Sequence, residues 1–180
     1  DAARTIKYNF AATVENNITL YAKWKAKTQP ITPPPAEDPA KVKEGDAVPG
    51  TGGSYIVTSV ASKTVTLKKG QNKAKITIPG TVNVGTEKYK VVAIGDGAFS
   101  GCKKIKQVTI NANVTKIGKN AFSKCSNLKK VILKGKKLTV GKKAFKGTAK
   151  KATVKWPKGI KAKDKSKIRK ALKKQGLKVK

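Results

Sequence analysis

The 180-residue sequence contains no histidine and only two cysteines. Without histidine, no imidazole can act as a general base, as the partner of a serine or cysteine nucleophile, or as a metal ligand. The two cysteines, Cys102 and Cys125, lie twenty-three residues apart and lack the further ligands that a zinc site needs. These absences exclude histidine-based catalysis and a cysteine-based zinc site, and we expect no cofactor.

Acidic residues are nearly as scarce, since nine Asp and Glu stand against forty-two Lys and Arg, for a net charge of +33. Residues 1–53 are close to neutral, whereas residues 54–180 combine thirty-five Lys and Arg with three acids, a net of +32. Three scattered acids do not supply a carboxylate pair for acid–base catalysis, and no glycine-rich phosphate loop is present. We therefore expect that the protein is not an enzyme.

The positive charge leaves two interpretations open. It can attract an anionic partner, or it can be a solvated lysine coat that confers solubility. Only Arg169 is an arginine within residues 54–180, whereas arginine is the preferred residue for reading bases. Aromatic residues on which bases could stack are also few. We therefore expect no specific nucleic-acid partner.

The sequence has no run of eighteen apolar residues, so no membrane-spanning segment is predicted. It begins at Asp1 without a signal peptide. We interpret this start as a cut within a longer protein, which leaves export open.

Three segments differ in composition. Residues 1–27 are rich in β-branched and aromatic residues and predict a fragment of a β-rich module. Residues 28–53 hold six of the eight prolines and predict a linker. Residues 54–180 form the main domain, with an N-terminal cap and first coil (54–93), three repeats (94–157) and a C-terminal cap (158–180).

The main domain opens with short strands. Residues 54–70 predict two strands joined near Ala61-Ser62, and residues 73–78 predict a third. A hairpin turning at Gly85-Thr86 follows. We interpret residues 76–94 as an atypical first coil, with nine residues more than the later ones, as terminal repeats commonly are.

A 23-residue repeat is the strongest signal in the chain. The aligned columns are Ile94, Ile117 and Val140; Gly95, Gly118 and Gly141; Ala98, Ala121 and Ala144; Phe99, Phe122 and Phe145; Cys102, Cys125 and Thr148; Val108, Val131 and Val154; and Ile110, Leu133 and Trp156.

Each repeat predicts one strand with a single buried face, a glycine that permits a tight bend, and a short helical turn carrying Ala and Phe. One unit is too small to bury a core alone, so successive units must stack like residue on like residue. The fold class is therefore a repeat solenoid, mainly β with short helical turns. The ladder of Ala, Phe and Cys residues is structural.

The cysteines allow two arrangements. Equivalent positions in neighbouring coils lie close enough for a disulfide, but ladder side chains point the same way and Thr148 takes the position in the third repeat. We favour two free, buried thiols.

The C-terminal segment predicts a helix over residues 164–176, with Asp164 as N-cap and Gly176 as C-cap. Its apolar stripe of Ile168, Ala171 and Leu172 is narrow. A helix that caps the solenoid is favoured over one that binds a membrane surface.

Two stretches, "IGDGAFSGCKKIKQVTI" and "IGKNAFSKCSNLKKVIL", resemble the BspA-type leucine-rich repeats of bacterial surface proteins. The resemblance covers roughly residues 54–180. Separately, "FAATVENNITLYAKWKA" is similar to the end of an internalin-B-type (Listeria–Bacteroides) repeat. Together they imply a secreted, modular cell-surface protein of a Gram-positive or gut bacterium.

The first resemblance implies an adhesion or protein-binding module whose partner is a host or matrix protein. The charge suggests an alternative, an anionic wall polymer or acidic glycan, with contacts expected at Lys106, Lys129, Lys119 and Lys142, which stack in pairs. A third alternative is a passive spacer. We expect a monomer.

Overall fold

The computed structural model describes residues 42–149 and 152–177. The β-rich fragment predicted at residues 1–27, and with it the internalin-B-type resemblance, lies outside these ranges and stays a prediction. Residues 28–41 of the predicted linker lie outside them too.

Eleven strands and one helix form within the described residues. Their bounds are β1 Ala47–Gly50, β2 Gly53–Ser59, β3 Thr64–Gly70, β4 Lys75–Ile78, β5 Thr81–Val84, β6 Glu87–Ile94, β7 Gln107–Ile110, β8 Lys116–Ile117, β9 Lys130–Leu133, β10 Thr139–Val140, β11 Thr153–Lys155 and α1 Ala162–Lys174.

One sheet has four parallel strands in the order β11-β9-β7-β4. Its register follows the repeat, since Ile110 pairs with Leu133 and Val131 pairs with Val154 at the 23-residue step. Ile78 pairs with Ile110, a step of thirty-two residues, so the first coil carries nine extra residues as predicted. The extra residues include the hairpin of β5 and β6, which pair antiparallel around Gly85.

The second sheet joins the N-terminal cap to the coils. Its order is β1-β2-β3-β6-β8-β10, with β5 also paired to β6. The strands β1, β2 and β3 pair antiparallel, whereas β3, β6, β8 and β10 pair parallel, one strand for each coil. The predicted solenoid is therefore confirmed, and the buried residues of both sheets belong to one hydrophobic core.

The strand β1 corrects the predicted linker, which covered residues 28–53. Residues 47–50 pair with β2, and Val42 and Val48 are buried in the core. The proline content misled here because Pro49 lies on the edge strand of the sheet, where its missing N–H costs no ladder hydrogen bond.

The Phe rings form a continuous stack. The ring centroids of Phe99 and Phe122 lie 5.0 Å apart and those of Phe122 and Phe145 lie 5.2 Å apart, with interplanar angles of 5° and 7°. All three side chains are buried, as are Ala98, Ala121 and Ala144. The stack thus forms part of the core, at the spacing of neighbouring strands.

The repeated glycines serve close packing. Gly95, Gly118 and Gly141 do not have positive φ, so these positions do not use the left-handed conformation that glycine permits. A turn does begin here, since the Ala98 N–H donates to the Gly95 carbonyl and the Ala144 N–H donates to the Gly141 carbonyl. A Cβ on Gly118 would lie 2.6 Å from the carbonyl carbon of Gly95, and one on Gly141 would lie 2.6 Å from that of Gly118. The coils approach so closely at this column that only glycine fits.

Each Phe turn is bonded to the turn of the next coil. The Phe99 N–H donates to the Ala121 carbonyl and the Phe122 N–H donates to the Ala144 carbonyl, both at 2.7 Å. At the end of the stack, the Phe145 N–H donates to the Gln175 carbonyl at 2.9 Å. The Gln175 side chain also accepts from the Lys143 N–H at 2.9 Å. The end of α1 therefore replaces the missing next coil.

The helix bounds differ from the prediction. The helix begins at Ala162, so Asp164 lies in its first turn, and the N-cap residue Lys161 makes no side-chain cap. Gln175 is the C-cap, and Gly176 follows with a φ of 103°. The Gly176 N–H donates to Lys173 and the Leu177 N–H donates to Leu172, the pattern of a Schellman ending.

The helix packs against β10 and buries Ile168 and Leu172, whereas Ala171 is half-buried. In the last coil Val154 and Trp156 are also only partly buried. The ammonium of Lys165 lies 5.8 Å from the centroid of the Trp156 ring, which places a cation over its face.

We expect Phe122→Ala to lower the free energy of unfolding by about 3–5 kcal/mol, because it opens a cavity between two stacked rings. Phe122→Leu should cost less, since it mainly loses the ring contacts. Urea unfolding of these variants measures the effect, with exposed Thr77→Ala as control. A loss for Phe122→Ala no larger than that of the control would contradict the stacked core.

Candidate binding surfaces

The outward face of the four-stranded sheet is the first candidate surface. The strand alternation that buries one side chain turns the next outward. Two rows result from the register: Lys75, Gln107, Lys130 and Thr153 form one, and Thr77, Thr109, Ile132 and Lys155 form the other. The face is polar and positively charged, has no acidic residue, and includes one half-exposed apolar side chain, Ile132.

This face is small. Three strand spacings of about 4.8 Å and four residues of about 3.3 Å give roughly 14 by 13 Å, or about 190 Å². A stable protein–protein interface buries about 800 Å² on each partner. A partner that docks on the sheet must therefore also contact the corners beside it, where exposed Lys134 and Lys136 follow β9.

The lysines predicted as polyanion contacts lie at two places. Lys106 and Lys129 precede β7 and β9, and the Lys129 N–H donates to the Lys106 carbonyl at 2.9 Å. Lys119 and Lys142 begin two consecutive Phe turns, where the Asn120 N–H donates to the Lys142 carbonyl at 3.1 Å. The structure thus brings each pair together on adjacent coils, and all four side chains are exposed.

Two columns of the Phe turns adopt the left-handed backbone conformation. In the first column Gly97, Asn120 and Lys143 have φ values of 64°, 52° and 57°. In the second, Gly101, Lys124 and Gly147 have φ values of 74°, 58° and 76°. Glycine adopts this conformation without strain, whereas a lysine pays about 1–2 kcal/mol. Lysine therefore occupies two positions at which glycine is the less strained residue.

Carboxylates offset little of the positive charge of the exposed lysines. Within the described residues, the ammonium of Lys63 forms an ion pair with Glu87, and this contact raises the lysine pKa. The Asp96 carboxylate accepts from the Lys119 backbone N–H at 2.7 Å. Two lysine charges about 5 Å apart repel by about 0.8 kcal/mol even in bulk water. The lysine ladders therefore carry an unfavourable electrostatic energy.

The cysteines are free thiols. The Cys125 thiol is buried and donates to the Phe99 carbonyl at 3.0 Å, and burial raises its pKa to about 12. Cys102 is only half-buried, contrary to the expectation that both thiols are buried. Burial raises its pKa too, although the Lys69 charge opposes this shift. The Thr148 hydroxyl, in the equivalent position, is buried without a hydrogen-bond partner.

No group of three or more His, Cys, Asp or Glu side chains that could hold a metal occurs within residues 42–149 and 152–177. In the same part of the chain, no helix is long and apolar enough to span a membrane.

Sequence reasoning missed three features of the main domain. Ile105 and Leu128 are completely buried and form a further core column, which their 23-residue spacing would have revealed. Tyr55 is also buried; its hydroxyl donates to the Thr51 carbonyl at 2.6 Å, and burial raises its pKa to about 12. The left-handed positions carried a signal as well, since glycine occurs in both columns.

Comparison with known families identifies the repeat. The profile of the BspA type leucine rich repeat region matches residues 71–170 with six copies. The chain belongs to the BspA-type leucine-rich repeat family. No curated protein sequence matched this family member significantly.

Solved structures of leucine-rich repeat proteins are similar to this BspA-type chain. A leucine rich cell surface protein from Faecalibacterium prausnitzii is 32% identical with a TM-score of 0.51, and the match covers 57% of this chain and 28% of that one. A protein from Bacteroides capillosus is 25% identical with a TM-score of 0.49, covering 66% and 83%. A protein from Bacteroides ovatus is 26% identical with a TM-score of 0.44, covering 64% and 37%. The chain thus spans 28% of the Faecalibacterium protein.

We expect Lys124→Gly to raise the free energy of unfolding by about 0.5–1 kcal/mol, because glycine relieves the left-handed strain at some entropic cost. Asn120→Gly is the matched control, since asparagine tolerates this conformation better than lysine and should gain less. Urea unfolding compares the variants. A loss of stability in Lys124→Gly would contradict the strain argument.

The two thiols should react at different rates. At pH 8 we expect a thiol reagent to label Cys102 slowly in the folded protein and Cys125 only after unfolding in urea. The folded state disfavours the Cys125 thiolate, so its contribution to stability is full below about pH 9 and is lost as the pH rises towards 12. A Cys102→Ser variant should show no labelling before unfolding; prompt reaction of this variant would contradict the burial of Cys125.

Proposed function

We propose that this BspA-type domain is a non-enzymatic binding module of a bacterial cell surface, with a host or matrix protein as partner. The observation that supports this most is the family membership, together with the similarity to a cell surface protein from Faecalibacterium prausnitzii. Recurrent residues of the repeat pack in the core rather than forming a reactive cluster. Binding therefore belongs to the exposed side chains between them.

The outward face of the four-stranded sheet is the proposed contact surface for a protein partner. Its side chains are held in register by the buried neighbours on each strand, so they lose little freedom on binding. Ile132 gives the face an apolar centre between Thr109 and Lys155. Because the face alone covers only about a quarter of a standard interface, we expect weak binding by one module, strengthened where several modules act together.

The second candidate function is the binding of an anionic polymer such as a wall polymer or acidic glycan. The net charge of +33 favours it, and so do the stacked lysine pairs described above. Affinity for such a polymer falls steeply with salt, whereas a protein contact on the sheet face should depend on salt far less. A passive spacer would bind neither an anionic polymer nor a protein.

The test for the protein-binding function compares two double variants of equal charge change. Thr109→Glu with Lys130→Glu alters the sheet face, and Thr81→Glu with Lys88→Glu alters the exposed hairpin of β5 and β6. We expect the face variant to lose at least about tenfold in affinity for purified matrix proteins, while the hairpin variant retains it. Biolayer interferometry at low and high salt measures both.

Equal losses in the two variants would contradict the sheet face as the contact. Binding that disappears at high salt in the unaltered chain would favour the anionic-polymer function instead. Binding to neither a matrix protein nor an anionic polymer would favour the spacer.

A further inference from the structure

Lysines are concentrated along one edge of the solenoid, which we name the Phe-turn edge. It is formed by the consecutive Phe turns and the end of α1, and its exposed members are Lys119, Lys124, Lys142, Lys143, Lys146, Lys173 and Lys174. The sequence analysis predicted two pairs of stacked lysines. One of these pairs, Lys119 and Lys142, belongs to this edge.

The positive charge rises along the stack. The first Phe turn, residues 96–102, contains Asp96 and no lysine. The second, residues 119–125, contains two lysines, and the third, residues 142–148, contains three. The last turn of α1 adds two more. In the described structure the edge therefore becomes strongly basic after its first layer, with Asp96 as its one carboxylate.

These turns are adjacent layers of one stack. The Lys124 N–H donates to the Lys146 carbonyl at 2.7 Å, and Gly176 packs directly against the Lys146 backbone. The rings beneath them repeat at 5.0 and 5.2 Å. The lysines consequently form a row with a layer spacing of about 5 Å along the solenoid axis.

Two effects make this concentration of lysines unfavourable for the stability of the fold. Like charges in consecutive layers repel. The one carboxylate of the described edge, Asp96, accepts a hydrogen bond from a backbone N–H of the next layer. Lys124 and Lys143 also occupy left-handed positions, where Gly101, Gly147 and Gly97 show that glycine is compatible with the turn. Strain retained at specific positions indicates a function for the residues that cause it.

We propose that the Phe-turn edge binds a linear phosphodiester polymer that lies along the solenoid axis. This proposal rests on the second candidate function, the binding of an anionic polymer, and assigns it a site and a ligand class. Lysine is an established phosphate binder that acts as a compact point charge, whereas the arginine fork binds carboxylate or phosphate through paired hydrogen bonds. An edge that carries lysines alone therefore suits single charges spaced along a chain, as in a phosphodiester polymer. The aromatic rings of the edge are buried, so it offers no stacking platform for bases, and a polymer without bases fits it better than a nucleic acid.

The test uses the 180-residue chain and poly(glycerol phosphate) as probe. The edge variant combines Lys119→Gln, Lys142→Gln and Lys146→Gln with Lys124→Gly and Lys143→Gly, and the glycines should keep the fold at least as stable. The control variant carries Lys68→Gln, Lys73→Gln, Lys75→Gln, Lys88→Gln and Lys90→Gln, which removes the same charge from β3, β4, β6 and the connection before β4. Fluorescence anisotropy measures the dissociation constant over a range of salt concentrations.

We expect the edge variant to lose at least about tenfold in affinity. The magnitude of its slope of log affinity against log salt should fall by up to about 3.5, since each of the five lost contacts on a single-stranded polyanion contributes roughly 0.7. The control variant should lose less than about threefold. Polygalacturonate, a polymer of carboxylates, should bind more weakly than poly(glycerol phosphate) of matched charge.

Each other outcome overturns part of the proposal. Equal losses in the edge and control variants would leave the anionic-polymer function standing and remove the Phe-turn edge as its site. Equal binding of polygalacturonate would overturn the phosphodiester assignment. If the unaltered chain binds neither polymer at low salt, both the site and the anionic-polymer function fail.

Discussion

Hydrogen bonds between successive coils set the distance at which every other feature of this domain repeats. The same N–H and carbonyl columns are joined from coil to coil, as in the bond from Phe99 to Ala121 and the bond from Phe122 to Ala144. At this separation flat rings stack face to face and a glycine column becomes obligatory, because a Cβ at Gly118 would clash with Gly95. The same separation brings like charges together, so the geometry that builds the core also concentrates lysine on the surface.

The sequence predicted the features that depend on this repetition and missed those that depend on the chain ends or on local backbone conformation. Spacing alone located the Phe column and the nine extra residues of the first coil. It did not locate β1, because proline-rich composition is typical of linkers and says nothing about an edge strand. It placed the helix start at Asp164, a good capping residue, although the structure begins the helix at Ala162 without a side-chain cap. The close approach of the coils at Gly118 was also missed, since a glycine needed for close approach and one needed for positive φ look alike in a sequence.

On the candidate binding surfaces, too, the sequence predicted some features and missed others. Periodicity paired Lys119 with Lys142, but Lys124 and Lys146 have no lysine at the equivalent position in the neighbouring repeat. Their proximity, on adjacent layers, follows only from the hydrogen bond that joins their backbones. Exposed residues are free of the packing constraints that make core columns recur, so binding surfaces leave weaker periodic signals than cores do. For the same reason, the sequence predicts the binding partner less well than it predicts the fold.

The end of α1 imitates a coil: Gln175 supplies both the main-chain acceptor for Phe145 and a side-chain acceptor for Lys143. Because these two acceptors fit any Phe turn of the same shape, the C-terminal cap does not depend on how many turns come before it. Gene duplication could therefore insert or remove one whole 23-residue unit while both chain ends keep their partners. Changes of other length fit where the chain leaves the stacked columns, as the nine extra residues of the first coil do, which include the hairpin of β5 and β6. The stacked part of this architecture is consequently free to change its length in evolution in whole steps.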